Sequence, residues 1–199
     1  MDDRARTVRW RRWYSCSLCE QEYHGVVRGA LGWACWKTYV GRPEGDRSRS
    51  MAMGLLGIGL SEAEHNEDAL SVKEAELSLE RRLGASERNI LAMQGNLAST
   101  YEALGRLDES MRLRQDTYSG WLKLKGDAHE QTLREATSCA ITLFKLQRYA
   151  EAKALLLKTI PVALRVLGDG HDYTLRMKMN YAVTIYEDPA PRSTISARP

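Results

Sequence analysis

A repeat constrains the fold of this chain more than any other feature. Leu83-Gly84, Leu91, Asn96-Leu97-Ala98, Leu104-Gly105-Arg106-Leu107 and Glu109-Ser110 return as Leu124-Lys125-Gly126, Leu133, Ser138-Cys139-Ala140, Leu146-Gln147-Arg148-Tyr149 and Glu151-Ala152. Corresponding positions lie about 42 residues apart, and the same step leads on to Gly168, Leu175, Asn180 and Ala182. A period of roughly 20 to 50 residues marks a stacked architecture, because one supersecondary unit cannot bury its apolar face alone; a period near 40 suits one helix pair per unit.

Within the repeats the apolar residues keep helical spacing. Ile90, Gln94, Leu97, Ala98, Tyr101 and Leu104 form one stripe, and Leu107 to Leu124 returns with Met111, Tyr118, Trp121 and Leu122. Leu133, Ala136, Cys139, Ala140, Leu143 and Leu146 form the next outgoing stripe. Tyr149 to Leu167 returns, and Pro161 inside it predicts a kink near Ile160. Tyr173 to Tyr186, with Leu175, Tyr181, Ala182 and Ile185 inward, is half a repeat that can cap a stack.

Upstream, Asn66 is a plausible N-cap for a helix to Leu83, with Ala69, Val72, Leu79 and Leu83 inward. Arg47 to Leu60 contains Gly54, Gly57 and Gly59, which follow no strand and do not fit a dinucleotide loop; glycines on a helix face permit close approach of a neighbour. From Glu20 to Val40 the stripe is Tyr23, Val26, Val27, Ala30, Leu31, Ala34, Cys35 and Tyr39, widened by Trp33 and Trp36. The domain plan is a basic, poorly ordered arm over 1–15, a helix within 16–41 packing on the stack, and repeats over 42–187. The units fall at about 46–84, 85–126, 127–168 and a half unit at 169–187, before a disordered tail over 188–199.

With 199 residues, 43% of them hydrophobic, the chain can bury a core. Its most apolar window, Ala30 to Trp36, is far short of the roughly 20 residues that span a bilayer, so no membrane association is expected. Met1-Asp2-Asp3 is not the opening of a secretory signal, which points to a cytoplasmic protein with reduced thiols. The net charge of +3 is not a nucleic-acid-binding composition, although the first 50 residues carry ten Lys/Arg against six Asp/Glu and so hold the whole basic excess. Arg4, Arg6, Arg9 and Arg11-Arg12 beside Trp10 and Trp13 read either as a phosphate-contacting arm or as a frayed terminus.

Cys16-Ser17-Leu18-Cys19 is a CxxC pair, and His24 and Cys35 are the only residues that could complete a four-ligand zinc site, at no familiar spacing. A redox dithiol would want a βαβ context, and no strand is indicated. Small apolar buried thiols are the preferred reading, and no cofactor is expected. No HExxH, GxSxG or P-loop string occurs. His129-Glu130 and His171-Asp172 fall at equivalent points of two repeats, where a structural role at the helix entry is expected rather than acid-base work.

The small residue at 98, 140 and 182, the Gly105 turn and Tyr149-Ala150-Glu151-Ala152 resemble tetratricopeptide repeats. The 42-residue unit, with Leu-Gly before a loop and His-x-x-Thr-Leu after it at His129 to Leu133 and His171 to Leu175, resembles the kinesin light chain type. Three positions depart from it: Glu87 where the His would stand, Ser138 in place of the Asn at 96 and 180, and Asn66 at the bulky position of Leu107 and Tyr149. The resemblance implies an all-α, right-handed α-solenoid of stacked antiparallel helix pairs that works as a non-enzymatic scaffold for a protein or peptide partner. It also implies that Asn96 and Asn180 grip a peptide backbone, with Asn89, Met93, Gln131, Arg134, Arg176 and Met177 beside them. Two arginines in successive units would favour an acidic partner. The alternatives are a small zinc- or nucleic-acid-binding protein acting through Arg4 to His24, and self-association through the N-terminal helix.

Overall fold

The computed structural model describes residues 10–189; the expectations for Arg4, Arg6, Arg9 and the tail from Ala190 onward lie outside them. Among the described residues are eight helices: α1 (Gly25–Tyr39), α2 (Arg47–Glu62), α3 (Asn66–Arg82), α4 (Glu87–Ala103), α5 (Leu107–Lys125), α6 (Glu130–Lys145), α7 (Tyr149–Leu167) and α8 (Asp172–Glu187). The one extended pairing among them is an isolated bridge between Ser15 and Glu22. The fold class is therefore all-α, as the repeat requires.

The helix ends show why the period holds. Gly84, Gly126 and Gly168, 42 residues apart, take left-handed φ angles of 71°, 84° and 90° after α3, α5 and α7, a conformation that costs glycine no side-chain clash. His129 and His171 use Nδ1 to accept the backbone N–H of Gln131 (3.1 Å) and Tyr173 (3.3 Å). They are N-caps, which is the structural role their repetition implied. Where Glu87 replaces the histidine, Ser86 takes over one residue earlier and accepts from the Asn89 N–H at 3.3 Å. Asn66 is not a cap: it is the first residue of α3, and His65 before it makes no side-chain cap bond.

The chain divides into two compact units, residues 1–104 and 105–199, and the division falls inside the predicted repeat 85–126. In the first unit α1 packs on α2, α2 on α3 and α3 on α4. The inner face of α1 is Arg28, Gly29, Gly32, Cys35 and Tyr39, which shares Cys35 and Tyr39 with the predicted stripe but replaces its N-terminal half; Val26 and Val27 are 75% and 52% exposed. The reason is backbone proximity. A Cβ at Gly32 would stand 3.0 Å from the Leu55 carbonyl oxygen, and one at Gly59 only 2.6 Å from that of Arg28. Glycines, which hydropathy reads as neutral, form this contact and turn the apolar valines outward. The buried Arg28 guanidinium donates to the Tyr14 carbonyl at 3.0 Å, tying the preceding loop down. Trp10 stacks on Tyr39 at 5.0 Å and is buried with Cys35 and Ala52, so packing begins inside the stretch expected to be a loose arm.

In the second unit α6 packs between α5 and α7, and α8 packs on both α7 and α6. The core is Leu133, Ala136, Ala140, Leu156, Ala163 and Met177, flanked by Met111, Cys139, Leu143 and Ala152. α7 is helical throughout from Tyr149 to Leu167 with Pro161 inside it. On α8 the prediction needs correcting: Leu175 and Ile185 are 50% and 43% exposed and Ala182 is exposed too, whereas Thr174, Met177 and Thr184 point in. Their counterparts Leu133 and Ala140 are covered by the return helix α7, and no described helix follows α8. Ala140 has no exposed surface. Ala140→Leu should therefore overpack this core and cost about 1–3 kcal/mol; a melting temperature equal to the parent's would reject the register.

Candidate functional site

The resemblance puts Asn96 at a peptide-gripping position with Asn89 and Met93 beside it on α4, and the structure brings all three to one pocket. Its free volume is about 210 Å³, and it is lined by Gly54 and Ile58 of α2, Lys73 and Glu76 of α3, and Asn89, Ala92, Met93 and Asn96 of α4. The pocket lies wholly within the first unit. Asn89 and Asn96 are exposed and Met93 is half-buried, so the amides are available from solvent.

Lys73 and Glu76 were missed by sequence reasoning, which treats charges on helices as solvated. One signal was present: Lys73 interrupts the inner stripe of Ala69, Leu70 and Leu77. The lysine is buried, and its Nζ donates to Ser61 Oγ at 2.6 Å and to Thr100 Oγ1 at 2.8 Å. Thr100 in turn donates to the Asn96 carbonyl at 3.3 Å, so the lysine braces the turn of α4 that presents Asn96. Burial pushes the Lys73 ammonium down to about 8, partly offset by the nearby Glu76 charge. Burial, followed by repulsion from Glu80, pushes Glu76 up to about 7 against the attraction of Lys73. Glu80 accepts a hydrogen bond from the Ser50 hydroxyl of α2. A Cβ on Gly54 would stand 2.8 Å from Glu76 Oε1, so the carboxylate lies against bare helix backbone.

The remaining predicted residues belong to the second unit. Met177 is completely buried in the core, which removes it from any ligand-facing set; it occupies the gap beside Leu133 and Ala140 because α8 rotates Leu175 outward. Arg134 is half-buried and its Nη2 bonds Glu135 Oε1 at 3.0 Å, so its charge is already matched by a buried carboxylate. Arg176 is exposed. Gln131 and Asn180 are half-buried on α6 and α8, and the buried Gln131 Oε1 and Asn180 Nδ2 have no hydrogen-bond partner among the described residues.

The four residues of the zinc alternative do not come together. Cys35 is fully buried among Trp10, Tyr39 and Ala52, where burial pushes its thiol up to about 11, and His24 is exposed. Among the described residues no group of three or more His, Cys, Asp or Glu is arranged to hold a metal. Cys139 is a buried thiol pushed up to about 12 by desolvation, as an apolar packing role implies. Cys16 and Cys19 are not buried thiols, contrary to expectation: Cys19 is exposed, and Cys16 lies in a turn where the Cys19 and Leu18 backbone N–H groups lower its thiol to about 7. The Leu18 N–H reaches Cys16 Sγ at 3.4 Å.

Among the described residues, no helix is long and apolar enough to cross a membrane. No curated protein matches the chain. The tetratricopeptide repeat family model matches residues 138–173, which run from α6 through α7 to the start of α8. Among solved structures, the chain is similar to the nearly identical TPR-like repeats of the kinesin light chain kind from Podosopora anserina, and to a single-substitution variant of them. In both cases identity is 21% and the TM-score 0.67, over 84% of this chain and 78% of the other. BtubC (BKLC) from P. vanneervenii is also similar, at 13% identity and a TM-score of 0.67, over 80% of this chain and 65% of that one. One segment of the chain thus matches the tetratricopeptide repeat by sequence, and the helices around it fold as kinesin light chain TPR-like repeats do.

Proposed function

We propose that the chain is a non-enzymatic interaction module that binds an extended peptide segment of a partner protein along the first helices of its repeats. One observation carries this reading: Asn96, which the resemblance puts at the peptide-gripping position, and its helical neighbours Asn89 and Met93 line a single pocket. A side-chain amide offers one donor group and one acceptor and can pair with any peptide unit, so Asn96 suits a partner whose backbone rather than sequence is gripped. The TPR-like fold supports a protein partner. Arg134 is already neutralised by Glu135, so it does not support the preference for acidic partners implied by the two arginines.

A peptide selected against the full chain from a random library provides the test. Asn96→Ala combined with Asn180→Ala should weaken its binding about tenfold or more while leaving the helical circular dichroism signal unchanged, since each lost amide removes about 1 kcal/mol of hydrogen bonding. Equal affinity in parent and double variant would reject the assignment.

A further inference from the structure

We propose that the pocket between α2, α3 and α4 receives the cationic side chain of a lysine or arginine in the bound peptide, with Glu76 as its counter-charge. The inference rests on the peptide-binding reading above and adds the chemistry of the residue recognised. Three charged groups meet here, all on α3: Lys73 and Glu76 in the pocket wall, with Glu80 next to Glu76. The pocket-lining residues of α2 and α4 carry no charge. Two carboxylates against one ammonium leave the site one positive charge short.

The single ammonium is not free to supply both carboxylates, because Lys73 directs its hydrogen bonds to Ser61 and Thr100. Glu80 is engaged by Ser50, which leaves Glu76 as the carboxylate facing the pocket. Its position depends on Gly54, whose missing side chain makes the room that Oε1 fills. Met93, Ala92 and Ile58 supply apolar walls for the aliphatic stem of a long basic residue, which prefers to bury its methylenes and keep its charged head paired. Asn89 and Asn96 at the rim remain available to the peptide backbone. An acidic side chain would meet a second and a third negative charge.

The direction of the pH response follows. Glu76 is pushed up to about 7, so it gains its charge as pH rises through neutrality, while a lysine or arginine ligand stays protonated. Lys73, pushed down to about 8, loses its competing charge over the next pH interval. Preference for a basic residue should therefore grow from pH 6 to pH 9.

The test uses three end-capped Gly/Ser pentapeptides that differ only in a central lysine, norleucine or glutamate, titrated into the full ¹⁵N-labelled chain and followed at the Asn89 and Asn96 side-chain amides. At pH 8 the lysine peptide should bind about tenfold more tightly than the norleucine peptide, the scale of one charge-assisted contact. That ratio should shrink at pH 6 and vanish in Glu76→Gln. Gly54→Ala, which displaces the carboxylate without removing it, should reduce the ratio and guards against a folding defect in the first variant. Equal binding of the lysine and norleucine peptides at pH 8, or tighter binding of the glutamate peptide, overturns the inference while leaving the interaction reading in place. If no peptide shifts Asn89 or Asn96, both fail together.

Discussion

Gly59→Ala is expected to destabilise the protein by about 2–4 kcal/mol, and Gly54→Ala, five residues earlier on the same helix, to leave it unchanged or up to about 1 kcal/mol more stable. Helix propensity alone predicts that both substitutions help, since glycine in a helix interior is about 1 kcal/mol worse than alanine. The surroundings separate them. At Gly59 the new methyl would meet the Arg28 carbonyl oxygen at 2.6 Å, its carbon at 3.1 Å and Gly29 Cα at 3.2 Å, all backbone of α1. Backbone cannot rotate away, so α1 must shift from α2 and the Cys35, Tyr39, Ala52 and Trp10 cluster opens with it. At Gly54 the obstacle is the end of the Glu76 side chain, which can turn aside. Thermal unfolding of the two variants against the parent should show a drop of about 5–15 °C for the first and none for the second. A Gly59→Ala protein that melts with the parent would mean that α1 does not approach α2 as closely as the structure has it.

That pair of glycines also shows what the sequence could and could not reveal. Helix existence and many of the boundaries were legible because repetition supplied the same answer several times: Tyr149 to Leu167 is the observed span of α7, and the return helices begin at Leu107 and Tyr149 as read. The helix entries at His129 and His171 were legible for the same reason. Facing was harder. On α1, where no second copy of the pattern exists, hydropathy chose Cys35 and Tyr39 correctly but also Val26 and Val27, whereas the rest of the buried face is Arg28, Gly29 and Gly32. A residue without a side chain contributes nothing to an apolar stripe, yet it allows the closest packing. On α8 the register was right and the outcome different, because burial of Leu133 and Ala140 is conferred by the helix that follows them rather than by their own element.

The candidate site divides along the same line. That Asn89, Met93 and Asn96 share one pocket was legible because Met93 and Asn89 stand three and seven residues before Asn96 on one helix face. Met177 was misassigned by that rule, since the face it shares with Asn180 depends on how α8 rotates over α6 and α7. Lys73 left one trace, its interruption of an apolar stripe, but Glu76 required coordinates, because its importance comes from burial and from its charged neighbours rather than from residue type.

Those two residues carry the second large effect, a dependence of stability on pH that should disappear when Glu76 is neutralised. In the folded chain Glu76 titrates near 7 against an ordinary value of 4.5, so between those limits the folded state holds more protons than the unfolded one. Stability from this group is full below about pH 4.5 and is lost as pH rises to about 7. Lys73 runs the other way at higher pH. Its value near 8, against 10.5 when unperturbed, means the unfolded state holds more protons between them, and stability returns as pH rises through that interval. Together the two groups place a minimum between about pH 7 and pH 8. One pH unit of displacement corresponds to about 1.4 kcal/mol, and mutual attraction between the two charges reduces the sum, so the carboxylate costs about 1–3 kcal/mol at pH 8. Glu76→Gln should therefore raise the melting temperature by about 3–8 °C at pH 8 and change it little at pH 5, where the parent residue is already protonated. Groups that do not interact with Glu76 are common to both proteins and cancel in the difference, whereas Lys73 and Glu80, which do interact with it, are covered by the width of the expected range. An equal effect at the two pH values would show that glutamine acts through packing, and that Glu76 is not the buried charge described. A carboxylate whose removal strengthens the fold, set in a pocket wall beside two exposed amides, is what a site shaped for a cationic ligand requires: the ligand's charge, rather than the protein's, is then the one that offsets its burial.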